Sequence, residues 1–397
     1  MNDNSSSYQY LKSLQFNLFR KDLLHTWELT HMEIIALLTT AEILRDLYML
    51  NTSVKLFQSG LAVSLFRDKS TRTRLAYSSA CDLLGLQHHE IDEHKSQREH
   101  GESVRETATM CSFLTESIGI RDDMFLGKGS AFMKEVASAF EDSYRNAVNM
   151  HRPVVINLQS DLDHPTQTLA DLLHLKKSFK GLQNLKGRKM VVSWAYSPTY
   201  GKPLSVPQGL ITLMSRWGMD VVLAYPEGYE LMPEIVSKAR EFSEKSGGSF
   251  RISHTMEEAF QEADAVYPKS WAPREIMERR VSLVEGRDEK ALRDLERQCI
   301  EENSRHKDWI CNEAMMNRTR DALYLHCLPA DVQGLNCSDG EVTRGVFEKH
   351  RVNTYREASY KAFLIAAAII LSRFENPGEL MEKLCLAQSA RINAVNA

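Results

Sequence analysis

Five consecutive residues, Ser70-Thr71-Arg72-Thr73-Arg74, bring three hydroxyls and two guanidinium groups to one point of the chain. They follow an apolar run, LAVSLF (61–66), and lead into a helix-periodic stretch that opens near Thr73. A helix starting just after a strand leaves its first N–H groups unpaired. Those groups, the helix dipole and an arginine fork together suit the oxygens of a phosphate. The other reading is a polar helix cap carrying two exposed arginines. Neither G-x-G-x-x-G nor G-x-x-x-x-G-K-[ST] occurs, and LGKGS (126–130) lacks the earlier glycine. Any phosphate held here then belongs to a small molecule.

Two further stretches carry polar chemistry. In DHPTQTLADLL (163–173), Pro165 suits a first helical position, which sets His164 at the cap and Gln167 in the first turn. An imidazole and a carboxamide placed so can donate to one oxygen and accept from one N–H₂; a capped helix with a polar start is the plainer reading. YLHCLPA (324–330) ends an apolar run, and ligands of open α/β sheets gather beyond the carboxyl ends of strands, so Cys327 and nearby carbonyls are well placed. A nucleophilic Cys327 needs a base beside it; otherwise it is a small buried apolar group. HHEIDEHKSQREHGESVRET (88–107) has four histidines among acids, but His89 and His94 lie five apart, not the four of a zinc helix. A mobile polar loop, a lid or an arm toward another subunit, fits it better than a metal site.

The elements that must position these groups alternate. Strand candidates fall at 61–66, 117–121, 152–158, 189–196, 220–226, 264–271 and 322–328, with helix-length connections between them. Several are apolar on both faces, as buried parallel strands are, which predicts α/β architecture with two doubly wound parallel sheets. At 397 residues the chain suits two domains. The boundary is expected within the helix at 164–179: a first domain over 1–168, a second over 169–358, and a C-terminal part (359–397) whose apolar helix, SYKAFLIAAAIILSRF, packs back on the first. THMEIIALLTTAEILRDLYML opens with a capping box, Thr30 and Glu33. The charged stretch 286–309 reads as a solvated helix. A net charge of −4 disfavours nucleic acid, and no apolar run is long enough to span a membrane. The seven scattered cysteines, with no C-x-x-C, indicate reduced thiols in a cytoplasm and no metal site.

In this order, STRTR (70–74), GESVRETA (101–108), Arg121 at a strand end, HPTQTLADLL (164–173) and HCLPA (326–330) resemble the aspartate/ornithine carbamoyltransferase family, over about residues 25–372. The resemblance implies a carbamoyl-phosphate domain and a second-substrate domain joined by two helices, in a homotrimer with shared active sites. It also implies that Ser70, Thr71, Arg72 and Thr73 hold the phosphate. Arg121 and His164 would bind phosphate or carbonyl oxygen, and Gln167 with the carbonyls around Cys327 and Leu328 would read the carbamoyl N–H₂. Arg121, His164 and Cys327 are the catalytic candidates, and no metal or organic cofactor is implied.

The partners implied are carbamoyl phosphate and a small amino or ureido acid. The D-x-x-x-S-M-G of ornithine enzymes is absent where this chain reads ADAVYPKSWAP (263–273), which disfavours ornithine and leaves Lys269 and Trp271 as second-substrate candidates. VVSWAYSPTYGKPLSVPQG (191–209) is similar to the acetylornithine-like branch, whose loop threads a trefoil knot in the second domain, and to YgeW-type members. That branch's Asn-Ser is replaced by Pro207-Gln208-Gly209, and the family's E-N-R by Glu357-Ala358-Ser359. The expected function is carbamoyl transfer to an acceptor other than ornithine, or its reversal on a ureido compound. The alternative, suggested by the missing arginine, is a non-enzymatic anion-binding regulator of the same fold.

Overall fold

Runs without a polar face become strands covered on both sides. The computed structural model describes residues 4–93, 101–200, 202–286 and 288–386. The chain divides into two compact units. The first takes the residues up to Asp122, Gly129–Ser160 and those from Tyr360 onward; the second takes Asp123–Lys128 and Asp161–Ser359. The division after Ser160 comes ahead of the residue 168 expected from sequence, so the whole helix Pro165–Ser178 belongs to the second unit.

The first unit is built on β1 (Leu61–Phe66), β2 (Gln87–Ile91), β3 (Ser117–Asp122) and β4 (Val154–Ser160). All pairings are parallel, in the order β2-β1-β3-β4. Leu65, Ile120, Met133, Phe140 and Val155 pack one core layer against the helix Lys128–Arg145. The helix Lys361–Arg373 packs against the helices His31–Met49 and Arg72–Leu84 and against β4. Its apolar circumference (Leu364, Ile365, Ile369 and Ile370 are all buried) is what such a position demands. The capping box forms as expected: Thr30 Oγ1 accepts from Glu33 N–H, and Glu33 Oε2 accepts from Thr30 N–H.

The second unit carries β5 (Lys189–Ser193), β6 (Asp220–Ala224), β7 (Ser249–Ser253), β8 (Ala265–Pro268) and β9 (Leu323–Tyr324). They form one parallel sheet ordered β7-β6-β5-β8-β9. Two short parallel strands, β10 (Val332–Gln333) and β11 (Val342–Thr343), pair beside it. The expected strands at 189–196, 264–271 and 322–328 all end early: the backbone leaves the sheet to build the loops described below.

Four strands escaped the sequence reading; β10 and β11 are two residues long, too short for an apolar run, and the other two are β2 and β7. Both are edge strands with mostly half-buried or exposed residues, so neither shows an apolar run. β2 also corrects the expectation of a loop over 88–107. His88 and His89 lie in the sheet, with His88 Nε2 2.8 Å from Ser64 Oγ, and Val104–Ser112 is a helix capped by Ser103. Residues 94–100, with His94 and His100, lie outside the described residues. No helix among the described residues is long and apolar enough to cross a membrane.

Candidate active site

In each unit the strand order reverses once, between β1 and β3 and between β5 and β8. The loops leaving neighbouring strands there run in opposite directions and open a crevice at the carboxyl edge. In the first unit β1 ends at Phe66, paired with Arg121 near the end of β3. The 70–74 run follows β1 and opens the helix Arg72–Leu84, so it and Arg121 share one edge.

Thr71 caps that helix without a side-chain bond; Ser70 Oγ accepts from Thr73 N–H instead (3.3 Å). Thr73 is buried, whereas Thr71 and Arg72 are exposed. The two arginines of the run divide. Arg74 pairs with Glu90 and lies 4.3 Å over the Phe66 ring, while Arg72 stays exposed. Arg121 donates to Asp68 Oδ2 at 3.2 Å, which steadies it at the edge. Nearby, Arg67 is locked in place, bidentate to Glu93 and bound to Asp122.

In the second unit His164 caps the helix Pro165–Ser178, and its own N–H donates to Asp163 Oδ1 at 2.7 Å. His164 is buried, with Nδ1 3.4 Å from Thr166 Oγ1. Gln167 is buried one turn in, its Nε2 donating to Asp171 Oδ1 at 2.7 Å. The Pro207-Gln208-Gly209 departure finds its reason here. Gln208 Nε2 donates to the Leu162 carbonyl (2.9 Å), and a Cβ on Gly209 would collide with Asp163 Oδ1 and meet Thr168 Cγ2 at 2.9 Å. Gly209→Ala is therefore expected to cost about 1–3 kcal/mol by forcing Asp163 aside. Gly286→Ala, where a Cβ meets ordinary contacts, serves as control; equal melting temperatures for the two variants would refute the steric account.

Beyond β9, His326 lies between the rings of Tyr267 and Tyr324, with centroids 6.1 and 6.4 Å away. Its Nδ1 accepts from Leu328 N–H (2.9 Å), which leaves Nε2 as the protonated nitrogen facing Glu341 at 3.2 Å. Both ring nitrogens are thus committed, so His326 is not a base for the half-buried Cys327, and the nucleophilic-cysteine reading loses its neighbouring candidate. The chain reverses after Cys327 through a cis Leu328–Pro329 bond with Leu328 at positive φ.

Glu341, fully buried, collects four donors. Oε1 accepts from Ser270 N–H (2.8 Å), Lys202 Nζ (3.1 Å) and Lys269 Nζ (3.2 Å); Oε2 accepts from Asp331 N–H (2.9 Å) and lies 3.2 Å from His326 Nε2. Asp331 also receives Lys202 Nζ and Ser197 Oγ, both at 2.6 Å. One carboxylate thus ties together the segments that follow β5, β8 and β9. Although burial acts to raise it, the two lysines and His326 hold the Glu341 carboxyl well below its usual range, while burial lowers His326.

The second-substrate candidates are engaged within their own unit. Lys269 is spent on Glu341 and the Ser270 carbonyl. Trp271 is fully buried, its indole N–H donating to the Tyr229 carbonyl (2.9 Å), so it supports the loop from within. Glu341 and Asp171 went unnoticed in the sequence. Asp171 lies four residues after Gln167 on a helix, a spacing that pairs side chains; Glu341 stands in no pattern. Among the described residues no cluster of His, Cys, Asp and Glu is placed to hold a metal.

Two parallel α/β units each gather polar loops at a strand-order reversal. Residues 21–177 match the carbamoyl-P binding domain of aspartate/ornithine carbamoyltransferases and residues 204–372 their Asp/Orn binding domain, so the chain belongs to the aspartate/ornithine carbamoyltransferase family and is a carbamoyltransferase. It is 54% identical over 384 residues to "Putative carbamoyltransferase YgeW" of Escherichia coli (strain K12), covering 96% of this chain and 97% of that one. N-acetylornithine carbamoyltransferase of Xylella fastidiosa (strain Temecula1) is 29% identical, over 80% of this chain and 92% of its own. An acetylornithine transcarbamylase structure in complex with acetylcitrulline shares the fold, with a TM-score of 0.70 at 23% identity, covering 88% of this chain and 98% of its own.

Proposed function

We propose that this protein moves a carbamoyl group between carbamoyl phosphate and the amine of an amino or ureido acid other than ornithine, in a direction that includes breakdown of a ureido compound. The observation that carries this reading is the 70–74 run beside Arg121 at the strand-order reversal of the first unit. Ser70, Thr71, Arg72 and Thr73 hold the phosphate through hydroxyls, the arginine fork and helix N–H groups. Arg121 and His164 stabilise negative charge as it grows on the carbonyl oxygen and the departing phosphate. Gln167 and the carbonyls at Cys327 and Leu328 read the carbamoyl N–H₂.

In the forward direction a neutral amine attacks the carbamoyl carbon. A C–N bond forms, the C–O bond to phosphate breaks, and the nitrogen sheds a proton as phosphate leaves. Alignment of the two reactants supplies the rest of the acceleration. What sets the acceptor apart from ornithine in this reading is the missing D-x-x-x-S-M-G, where the chain reads ADAVYPKSWAP (263–273). The same family reading carries with it a homotrimer and a trefoil knot in the second unit; sedimentation analysis tests the first of these.

Carbamoyl phosphate at a hundredfold excess over Kd is expected to stabilise the fold by roughly 2.7 kcal/mol. Arg72→Ala should abolish most of that shift in a thermal melt. A wild-type melting curve unmoved by millimolar carbamoyl phosphate would count decisively against the reading. The acceptor follows from a screen of amines and ureido acids, run in both directions and monitored by phosphate release or uptake.

A further inference from the structure

Behind Gln167 lie two carboxyl groups. Asp171 and Glu357 are both fully buried. Gln167 Nε2 donates to Asp171 Oδ1 at 2.7 Å and lies 3.5 Å from Glu357 Oε1, and Glu357 Oε2 accepts from His326 N–H at 3.3 Å. The two acids thus face one amide nitrogen. Burial first, and the Asp171 charge second, push the Glu357 carboxyl well above its usual range.

A carboxamide has a donor end and an acceptor end of nearly equal size, and a carboxylate can bind only the donor end. Asp171 therefore decides which way Gln167 is turned. Among the described residues, the side-chain hydrogen bonds of Gln167 use Nε2 and leave Oε1 as the end available to a ligand. We propose that Asp171 and Glu357 are positioning residues that lock the orientation of Gln167. They present its oxygen as an acceptor and so select an acyl phosphate bearing N–H₂ over one bearing a methyl group. The inference rests on the proposed use of carbamoyl phosphate and adds to it the source of discrimination against acetyl phosphate, its methyl isostere. It also assigns a task to the surviving Glu357 of the altered E-N-R position.

The test compares carbamoyl phosphate with acetyl phosphate by thermal shift or calorimetry, which needs no knowledge of the acceptor. Wild type should prefer carbamoyl phosphate by roughly tenfold, the scale of one well-made hydrogen bond. Asp171→Asn, whose amide can bind either end of Gln167, should weaken carbamoyl phosphate selectively and shrink the preference below about threefold. Loosened packing alone would weaken both ligands equally, and that outcome overturns the proposal. Glu357→Gln imitates the protonated acid and should retain the preference; its loss there overturns the proposal even when Asp171→Asn does not fold. A wild type that binds both phosphates equally refutes the lock alone, whereas one that binds neither refutes the functional reading beneath it.

Discussion

Glu341→Ala is expected to destabilise the second unit by about 3–5 kcal/mol, the cost of leaving a buried charge without its partner. The ammonium groups of Lys202 and Lys269, both held by this carboxylate, would lose it, as would the N–H groups of Ser270 and Asp331. Glu341→Gln should cost less, because an amide oxygen still accepts while the charge is gone. The pH dependence follows from the sign of the shift. The folded-state carboxyl lies well below 4.5, so its contribution is complete above the unfolded value and is lost as pH falls through the folded one. Urea titrations of wild type and Glu341→Ala between neutral pH and pH 3 should therefore converge on the acid side. A loss under about 1 kcal/mol at neutral pH would show that the four donors find other partners.

Arg121→Ala should reduce carbamoyl transfer by about two to three orders of magnitude, the usual effect of removing one preorganised donor from developing charge. Its bond to Asp68 Oδ2 is 3.2 Å long, and a melting curve of the variant separates lost stability from lost chemistry. Arg74→Ala is the informative contrast. Arg74 belongs to the same 70–74 run, but Glu90 and the Phe66 ring already engage it. Its removal should alter kcat/KM by less than tenfold, in keeping with a solvent-facing ion pair. Equal losses for the two variants, measured with the acceptor identified by the screen, would move the anion contact away from the end of β3.

Sequence reading worked where physics writes a local signature. The capping box at Thr30 and Glu33, the proline-led helix behind His164 and the doubly apolar central strands each depend on neighbours in the chain. It failed where the partner is remote. β2 and β7 are strands because a parallel neighbour offers hydrogen bonds on one side, and nothing in QHHEI or SFRIS announces that neighbour. Lys269 and Trp271 looked available because both sit in a polar-aromatic loop. The acid that consumes Lys269 stands 72 residues away, and the carbonyl that consumes the Trp271 N–H stands 42 away. The residues predicted for the first substrate kept their places at strand and helix ends. Lys269 and Trp271, predicted for the second, are held by contacts within their own unit.

The first unit is completed by the last long helix of the chain. Its sheet is written by Ser160, yet Lys361–Arg373, which packs against β4 and two helices of that unit, comes about 200 residues later. At roughly 5–20 residues per second, a ribosome needs on the order of 10–40 s to cover that distance. Through that interval the nascent first unit carries an uncovered apolar face, while the whole of the second unit is synthesised and can fold. The order in which the halves mature is thus the reverse of the order in which they begin. Premature termination between Thr343 and Tyr360 would strand the half that carries the 70–74 run and spare the strands of the other.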